Sequence, residues 1–193
     1  MRPMPKPIIN ILASNKYGDY CVPYASRHRP VAQYILQGQV WEPLTVALMC
    51  EQCGGGDVVV AGTYFGDFLP PLSAAMAAGD RIWAFEPHPE NHASTEWTLH
   101  LNRLANVSLF DIGLSHEAGE MEFCLTNGGT ELGGASYVVG NAGQLHDKER
   151  LTKIRVASLE SLIPPYRDIS ILQYDLERHY RFALTGSLET IRR

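Results

Sequence analysis

The chain has 193 residues, 45% hydrophobic and 19% charged, with a formal net charge of −5. This length can bury a sizeable core, and the negative charge excludes a whole-surface attraction to nucleic acid. No apolar run approaches the roughly 20 residues that cross a bilayer. Met1 to Pro7 holds Arg2, Lys6 and prolines but not the apolar stretch of a secretory signal, so a cytoplasmic, non-membrane protein is expected.

In chain order, Ile8 to about Gln39 is mixed. Pro23 and Pro30 interrupt it, and Val31 to Leu36 is predicted as a short helix. Pro43 to Cys53 is predicted as a helix, with proline in its first turn and glycines after it. Residues 1–55 are therefore expected to form a helical or irregular extension packed on a core domain of residues 56–193. Asp57 to Ala61 is an apolar, β-branched run without alternation, which fits a strand buried on both faces of a parallel sheet. A glycine turn over Gly62 to Gly66 leads into a helix from Phe68 to Ala78, whose prolines suit a first turn. Arg81 to Phe85 is the next strand and Glu90 to Leu104 the next helix, with Trp97, Leu101 and Leu104 on one face. Val107 to Asp111 is a third strand. Right-handed crossovers place these three strands in one parallel sheet.

After Ser115 the pattern changes. Glu120 to Thr126 and Lys153 to Ser158 are predicted strands, separated by a glycine-rich stretch from Asn127 to Gly143 that is a candidate functional loop. Ile169 to Tyr174 is another buried strand, and Arg178 to Arg193 is predicted as helix to the end. Of the four cysteines, Cys50 and Cys53 form a single C-x-x-C at the end of a helical pattern. Cys21 and Cys124 do not supply the second pair that a zinc site wants, so no metal site is expected.

Four features carry chemistry. In Gly62-Thr63-Tyr64-Phe65-Gly66 a strand enters a glycine turn and then a helix, where the backbone can approach a ligand closely. The spacing is G-x-x-x-G, which suits a cofactor without a pyrophosphate better than a dinucleotide does. Glu86, at the end of the second strand, follows Gly66 by 20 residues, the offset at which an acid accepts ribose hydroxyls. Asp111 ends the third strand and can reach an adenine or ribose edge, or simply cap its loop. Asp175 and Glu177 leave the last strand on the same sheet edge. They can orient a cofactor, deprotonate a hydroxyl or bind a cation, or Asp175 can cap a helix. His88, His92, His116 and His179 fall near strand ends and are expected to be solvated.

These residues resemble the FkbM-type methyltransferases. The resemblance rests on Gly62 to Leu69, on Ala84-Phe85-Glu86-Pro87-His88-Pro89-Glu90-Asn91, on Leu101 to Val107, and on Asp175-Leu176-Glu177 with Ala183-Leu184-Thr185-Gly186. It implies a Rossmann-like class I methyltransferase sheet with helices on both faces. It further implies S-adenosylmethionine as donor and a hydroxyl acceptor on a sugar, glycan or polyketide-like molecule. By position, Gly62, Thr63, Tyr64 and Gly66 form the cofactor turn, Glu86 holds the ribose, Asp111 lies near the adenine, and Asp175 and Glu177 face the methyl-transfer cleft. Many relatives carry an acid where this chain has Val60, a glycine where it has Arg178, and an acid where it has Tyr180. Relatives also continue with at least one further strand, so a sheet shortened at the C-terminus is expected, which a homodimer could cover. Two other readings stay open: an NAD(P)-binding oxidoreductase and a non-catalytic cofactor-binding paralogue.

Overall fold

The computed structural model describes residues 4–5, 7–141 and 148–193. Much of the N-terminal start, and Ala142 and Gly143 of the glycine-rich stretch, lie outside them. The fold is mixed α/β, with parallel and antiparallel sheets and flanking helices. The chain begins with an antiparallel hairpin, β1 (Asn10–Asn15) and β2 (Gly18–Pro23), followed by α1 (Pro30–Leu36) and α2 (Pro43–Gln52). The hairpin corrects the reading of this segment as helical or irregular: β1 is only half buried, so no run of apolar residues marks it. Next come β3 (Asp57–Ala61), α3 (Leu69–Ala75), β4 (Ile82–Phe85), α4 (Pro89–Leu101) and β5 (Val107–Phe110). Short strands follow: β6 (Gly113–Leu114), β7 (Gly119–Cys124), β8 (Thr126–Asn127), β9 (Thr130–Glu131) and β10 (Tyr137–Val138). The described chain closes with β11 (Leu151–Ala157), α5 (Leu159–Leu162), β12 (Ile169–Tyr174), α6 (Tyr180–Thr185) and α7 (Leu188–Arg192).

The central sheet has the order β12-β3-β4-β5, with every neighbouring pair parallel. Its inner strands β3 and β4 alternate between two cores, as a period of two requires, while an irregularity between Ile169 and Ile171 breaks the alternation in β12. Val58, Val60, Ile82 and Ala84 face one side with Leu69, Leu72 and Leu99. Val59, Ala61, Trp83 and Phe85 face the other with Leu114, Leu159 and Ala183. Because both faces are covered, β3 and β4 read as unbroken apolar runs. A second sheet, β10-β7-β11-β6, is mixed: β11 is parallel to β6 and antiparallel to β7. It carries its own small core of Phe123, Leu125, Val138, Ile154 and Val156.

Two helices differ from expectation. The C-terminal helix is broken at Gly186 and Ser187 because the break docks on Ser115: a Cβ at Gly186 would lie 2.0 Å from the Ser115 carbonyl oxygen. The Gly186 carbonyl in turn accepts from Leu159 N at 3.0 Å. In α4 the buried face is Asn91, Ser94, Thr95, Thr98 and Leu99, not the Trp97 and Leu101 face. The reason is polar. This face holds the backbone of the glycine turn and of β2, and it needs hydroxyls and amides to do so.

Candidate functional site

The site forms at the carboxyl edge of the central sheet, the edge at which open parallel sheets bind ligands. Gly62 follows β3 with φ of +84°, and a Cβ there would lie 2.1 Å from the Asp175 carbonyl oxygen. Its lack of a side chain thus serves a close approach of the β3 and β12 ends, which are also joined by Asp175 N donating to the Ala61 carbonyl at 2.9 Å. At Gly66, with φ of +83°, a Cβ would press on Thr95 and Leu69. The turn between them is fastened from α4. The Thr95 hydroxyl donates to the Tyr64 carbonyl at 2.8 Å, and the Thr98 hydroxyl donates to the Phe65 carbonyl at 2.8 Å. Thr63 is buried beside Thr95, with their hydroxyl oxygens 3.4 Å apart.

Tyr64 is held in the left-handed region at φ of +52°, a conformation that favours glycine. Three contacts fix it there. Its amide donates to Glu86 Oε2 at 2.8 Å, its hydroxyl donates to Ser26 Oγ at 2.7 Å, and its ring packs under Gly134. Burial raises the Tyr64 hydroxyl to about 12, so it stays protonated and donates.

Glu86 is 4% exposed, and its second oxygen accepts from His88 N at 2.9 Å. Burial lifts its carboxyl to about 8, against the lowering effect of those two amides and of the Asn91 side chain. A carboxylate offers about four lone-pair positions, so the two amides and the Asn91 side chain leave about one free on the side of the smaller cavity. His88 is not solvated: it caps α4, with Nδ1 accepting from Glu90 N at 3.2 Å, and burial lowers it to about 4. His179 is also buried, with Nε2 3.1 Å from Ser115 Oγ, and burial followed by the charge of His116 lowers its pKa. Both are therefore neutral near pH 7, packed and bonded where solvated rings were expected.

Two cavities meet at Gly62, Gly134, Asp175 and Glu177. The larger, about 440 Å³, is lined by Gly62, Thr63, Tyr64, Asp175 and Glu177. It also takes in residues that sequence reasoning missed: Arg29, Trp41 and Glu42 from the N-terminal segment, Asp67 just after the glycine turn, and Gln173 of β12. Burial raises the Asp67 carboxyl to about 7, and the nearby Asp175 and Glu42 charges push the same way. Asp175 is raised by desolvation and then by Glu42. Glu42 holds a left-handed backbone at φ of +45°. The spacing that marks Asp67 is its place directly after Gly66; nothing in the sequence ties Arg29 or Glu42 to the sheet edge. The smaller cavity, about 40 Å³, lies between Glu86, Gly113, Leu114 and Phe123. That is room for a few waters and not for a nucleoside.

Gly134 and Gly62 line both cavities. The turn Gly133–Ala135 sits across Tyr64, its Gly133 carbonyl accepting from Asn91 Nδ2 at 3.2 Å and from Ser136 Oγ at 2.9 Å. Asp111 does not join this group. It is exposed, pairs with Arg155, and lines neither cavity. The structure therefore brings together Gly62, Thr63, Tyr64, Glu86, Asp175 and Glu177, tethers Gly66 to the same turn, and leaves Asp111 outside. Among the described residues no cluster of three or more histidine, cysteine or acidic side chains is arranged to hold a metal ion.

The fold and this edge define a mixed α/β protein with a cleft at the ends of parallel strands. No protein-family model and no curated protein sequence matches the chain. Among solved structures, the crystal structure of methyltransferase FkbM from Methylobacillus flagellatus KT is similar to it, at 16% identity and a TM-score of 0.48. The match covers 72% of this chain, which spans 30% of that protein's length. It is a distant, partial structural match to an FkbM methyltransferase. Among the described residues no helix is long and apolar enough to cross a membrane.

Proposed function

We propose that the protein binds S-adenosylmethionine on a class I methyltransferase-like sheet and methylates a hydroxyl of a sugar, glycan or polyketide-like molecule. The observation that carries the cofactor reading is the charge of the larger cavity. Glu42, Asp67, Asp175 and Glu177 line it, with Arg29 the one cation among the described residues. A dinucleotide would bring a doubly negative pyrophosphate to this edge, against four acids. A sulfonium cofactor brings positive charge instead. The donor set fits further: Glu86 retains acceptor capacity for ribose hydroxyls, and Gly62 to Gly66 supplies the turn that approaches the cofactor backbone.

When bound, S-adenosylmethionine supplies an activated methyl group, so the protein's work is alignment. Asp175 and Glu177 are exposed residues of the cavity lining, and either would take the acceptor hydroxyl's proton. Tyr64 and the Gly133–Ala135 turn keep water from the inner part of the cleft. The smaller cavity is too tight for an adenosine, so this turn would have to move aside for a nucleoside to reach Glu86.

Calorimetric titration with S-adenosylmethionine, and with NAD in competition, tests the reading. Expected are saturable S-adenosylmethionine binding that NAD does not displace and a loss of affinity in Glu86→Ala. Tight NAD binding by the folded protein, with no heat from S-adenosylmethionine, would overturn it. Val60, buried and apolar in the cavity wall, and Arg178, left-handed at φ of +60°, favour a second reading in which the chain binds the cofactor without turnover. Methyl transfer from labelled cofactor to hydroxyl acceptors separates the two.

A further inference from the structure

Resting on the cofactor reading above, we infer that Arg29 is the residue that binds the carboxylate of the cofactor's amino-acid end. Charge balance inside the larger cavity limits what can enter it. Four acids line it, and any ligand carboxylate that enters meets repulsion from those that are ionised, in a partly desolvated space. Such a group is tolerated only beside a cation. Among the described residues Arg29 supplies the one cationic side chain in the lining, and it makes no ion pair with a carboxylate there. A guanidinium is the side chain whose planar fork meets a carboxylate with two parallel hydrogen bonds.

Placement supports the same assignment. Arg29 lies far from the sheet in sequence, yet it is tied to the glycine turn through a single residue. Tyr64 OH donates to Ser26 Oγ at 2.7 Å and lies 3.2 Å from the Ser26 carbonyl oxygen, and that carbonyl accepts from Arg29 N at 3.0 Å. The tether uses the Arg29 backbone, leaving the guanidinium for a ligand. The remaining lining then divides by charge. Sulfonium and ammonium groups match Asp67, Asp175 and the other acids, and the carboxylate matches Arg29. A zwitterionic amino-acid end with an added positive charge is the ligand whose charges fit this pattern.

The test is a cycle between one protein side chain and one ligand group, read by calorimetric binding with no turnover required. S-adenosylmethionine and decarboxylated S-adenosylmethionine are titrated into wild type and into R29A, with R29K as the conservative variant. Wild type is expected to prefer the carboxylate-bearing ligand. R29A is expected to lose on the order of 10- to 100-fold in affinity for S-adenosylmethionine, the range for a hydrogen bond between charged groups. Its affinity for the decarboxylated ligand is expected to stay the same or rise, and R29K to fall between. The half-buried guanidinium makes no ion pair with an acid, so R29A is expected to melt with wild type; should it unfold, R29K against wild type carries the comparison. Equal losses for both ligands, or an R29A that binds S-adenosylmethionine like wild type, would overturn the assignment and leave the cofactor reading standing. No binding of either ligand to wild type would remove both.

Discussion

At Gly62 a side chain would place its Cβ 2.1 Å from the carbonyl oxygen of Asp175, and φ is already +84°. Gly79 has a comparable φ of +96° with nothing within 4 Å. The two positions separate backbone strain from steric clash. Gly79→Ala is expected to cost about 1 kcal/mol, the left-handed penalty alone. Gly62→Ala is expected to cost about 3 kcal/mol or more because the ends of β3 and β12 must part. Urea unfolding of both variants checks this, and equal costs would contradict the close approach. Glu86 and Asp67 make a second pair. With carboxyls lifted to about 8 and about 7, both give up protons when a cationic cofactor binds beside them. S-adenosylmethionine affinity is therefore expected to rise with pH between about pH 6 and pH 8. The dependence should flatten in Asp67→Asn, as titrations in buffers of different ionisation enthalpy would register. The cofactor's own amino group titrates in wild type and variant alike and drops out of the comparison.

Among the secondary-structure elements, α4 and the Gly133–Ala135 turn govern the cleft. The polar face of α4 fixes the glycine turn, and Asn91 on that face also holds the Gly133 carbonyl. Ser136→Ala removes one of the two donors to that carbonyl, a loss of about 1 kcal/mol in closing the turn. Cofactor association is expected to quicken by roughly 5-fold, measured by stopped-flow tyrosine and tryptophan fluorescence. An unchanged rate would mean that the turn does not limit entry. At the opposite end of the sheet, Asp57 is 1% exposed and joins β3, β4 and the segment before β12. It accepts from Arg81 N at 2.8 Å, from Trp83 Nε1 at 2.7 Å and from Arg167 Nε at 2.7 Å. Asp57→Ala leaves the indole N–H of Trp83 unpaired and the Arg167 guanidinium with only the Gly79 carbonyl, and a loss of about 3 kcal/mol is expected in chemical denaturation.

Across the molecule these acids oppose each other in pH. Burial pushes Asp57 up, but the hydrogen bonds from Arg167, Trp83 and Arg81 outweigh it and hold the carboxyl below its ordinary value. Its contribution to stability is therefore present above the unfolded pKa and lost as pH falls through the folded one. Glu86 and Asp67 have raised values, so the native state binds more protons than the unfolded chain between about pH 4 and pH 8, and stability falls as pH rises through that window. Thermal melts are expected to show greatest stability at mildly acidic pH and a decline towards about pH 8. Glu86→Gln should lessen that decline. A wild-type Tm that climbs steadily from pH 5 to pH 8 would show that Glu86 is not raised.

The sequence by itself determined the central sheet. Asp57–Ala61 and Ile82–Phe85, the two inner strands, are legible because strands covered on both faces become continuous apolar runs, and that requirement is local; the edge strands Val107–Phe110 and Ile169–Tyr174 are only partly buried, so Ile169–Tyr174 is not the buried strand expected from its sequence. The glycine turn and Glu86 were legible for the same reason, since each follows directly from a strand end. Other features depend on partners distant in the chain, and only the tertiary structure decided them. The β1–β2 hairpin is half exposed and leaves a weak pattern. The buried face of α4 is polar because it serves the turn, so hydrophobic periodicity points to the wrong side. His88 and His179 look like solvated rings until α4 and Ser115 enclose them. Asp111 ends its strand as Glu86 does, yet Arg155 from β11 draws it outward. Arg29 and Glu42 join the cleft across long stretches of chain, and no spacing in the sequence records a contact that folding alone creates.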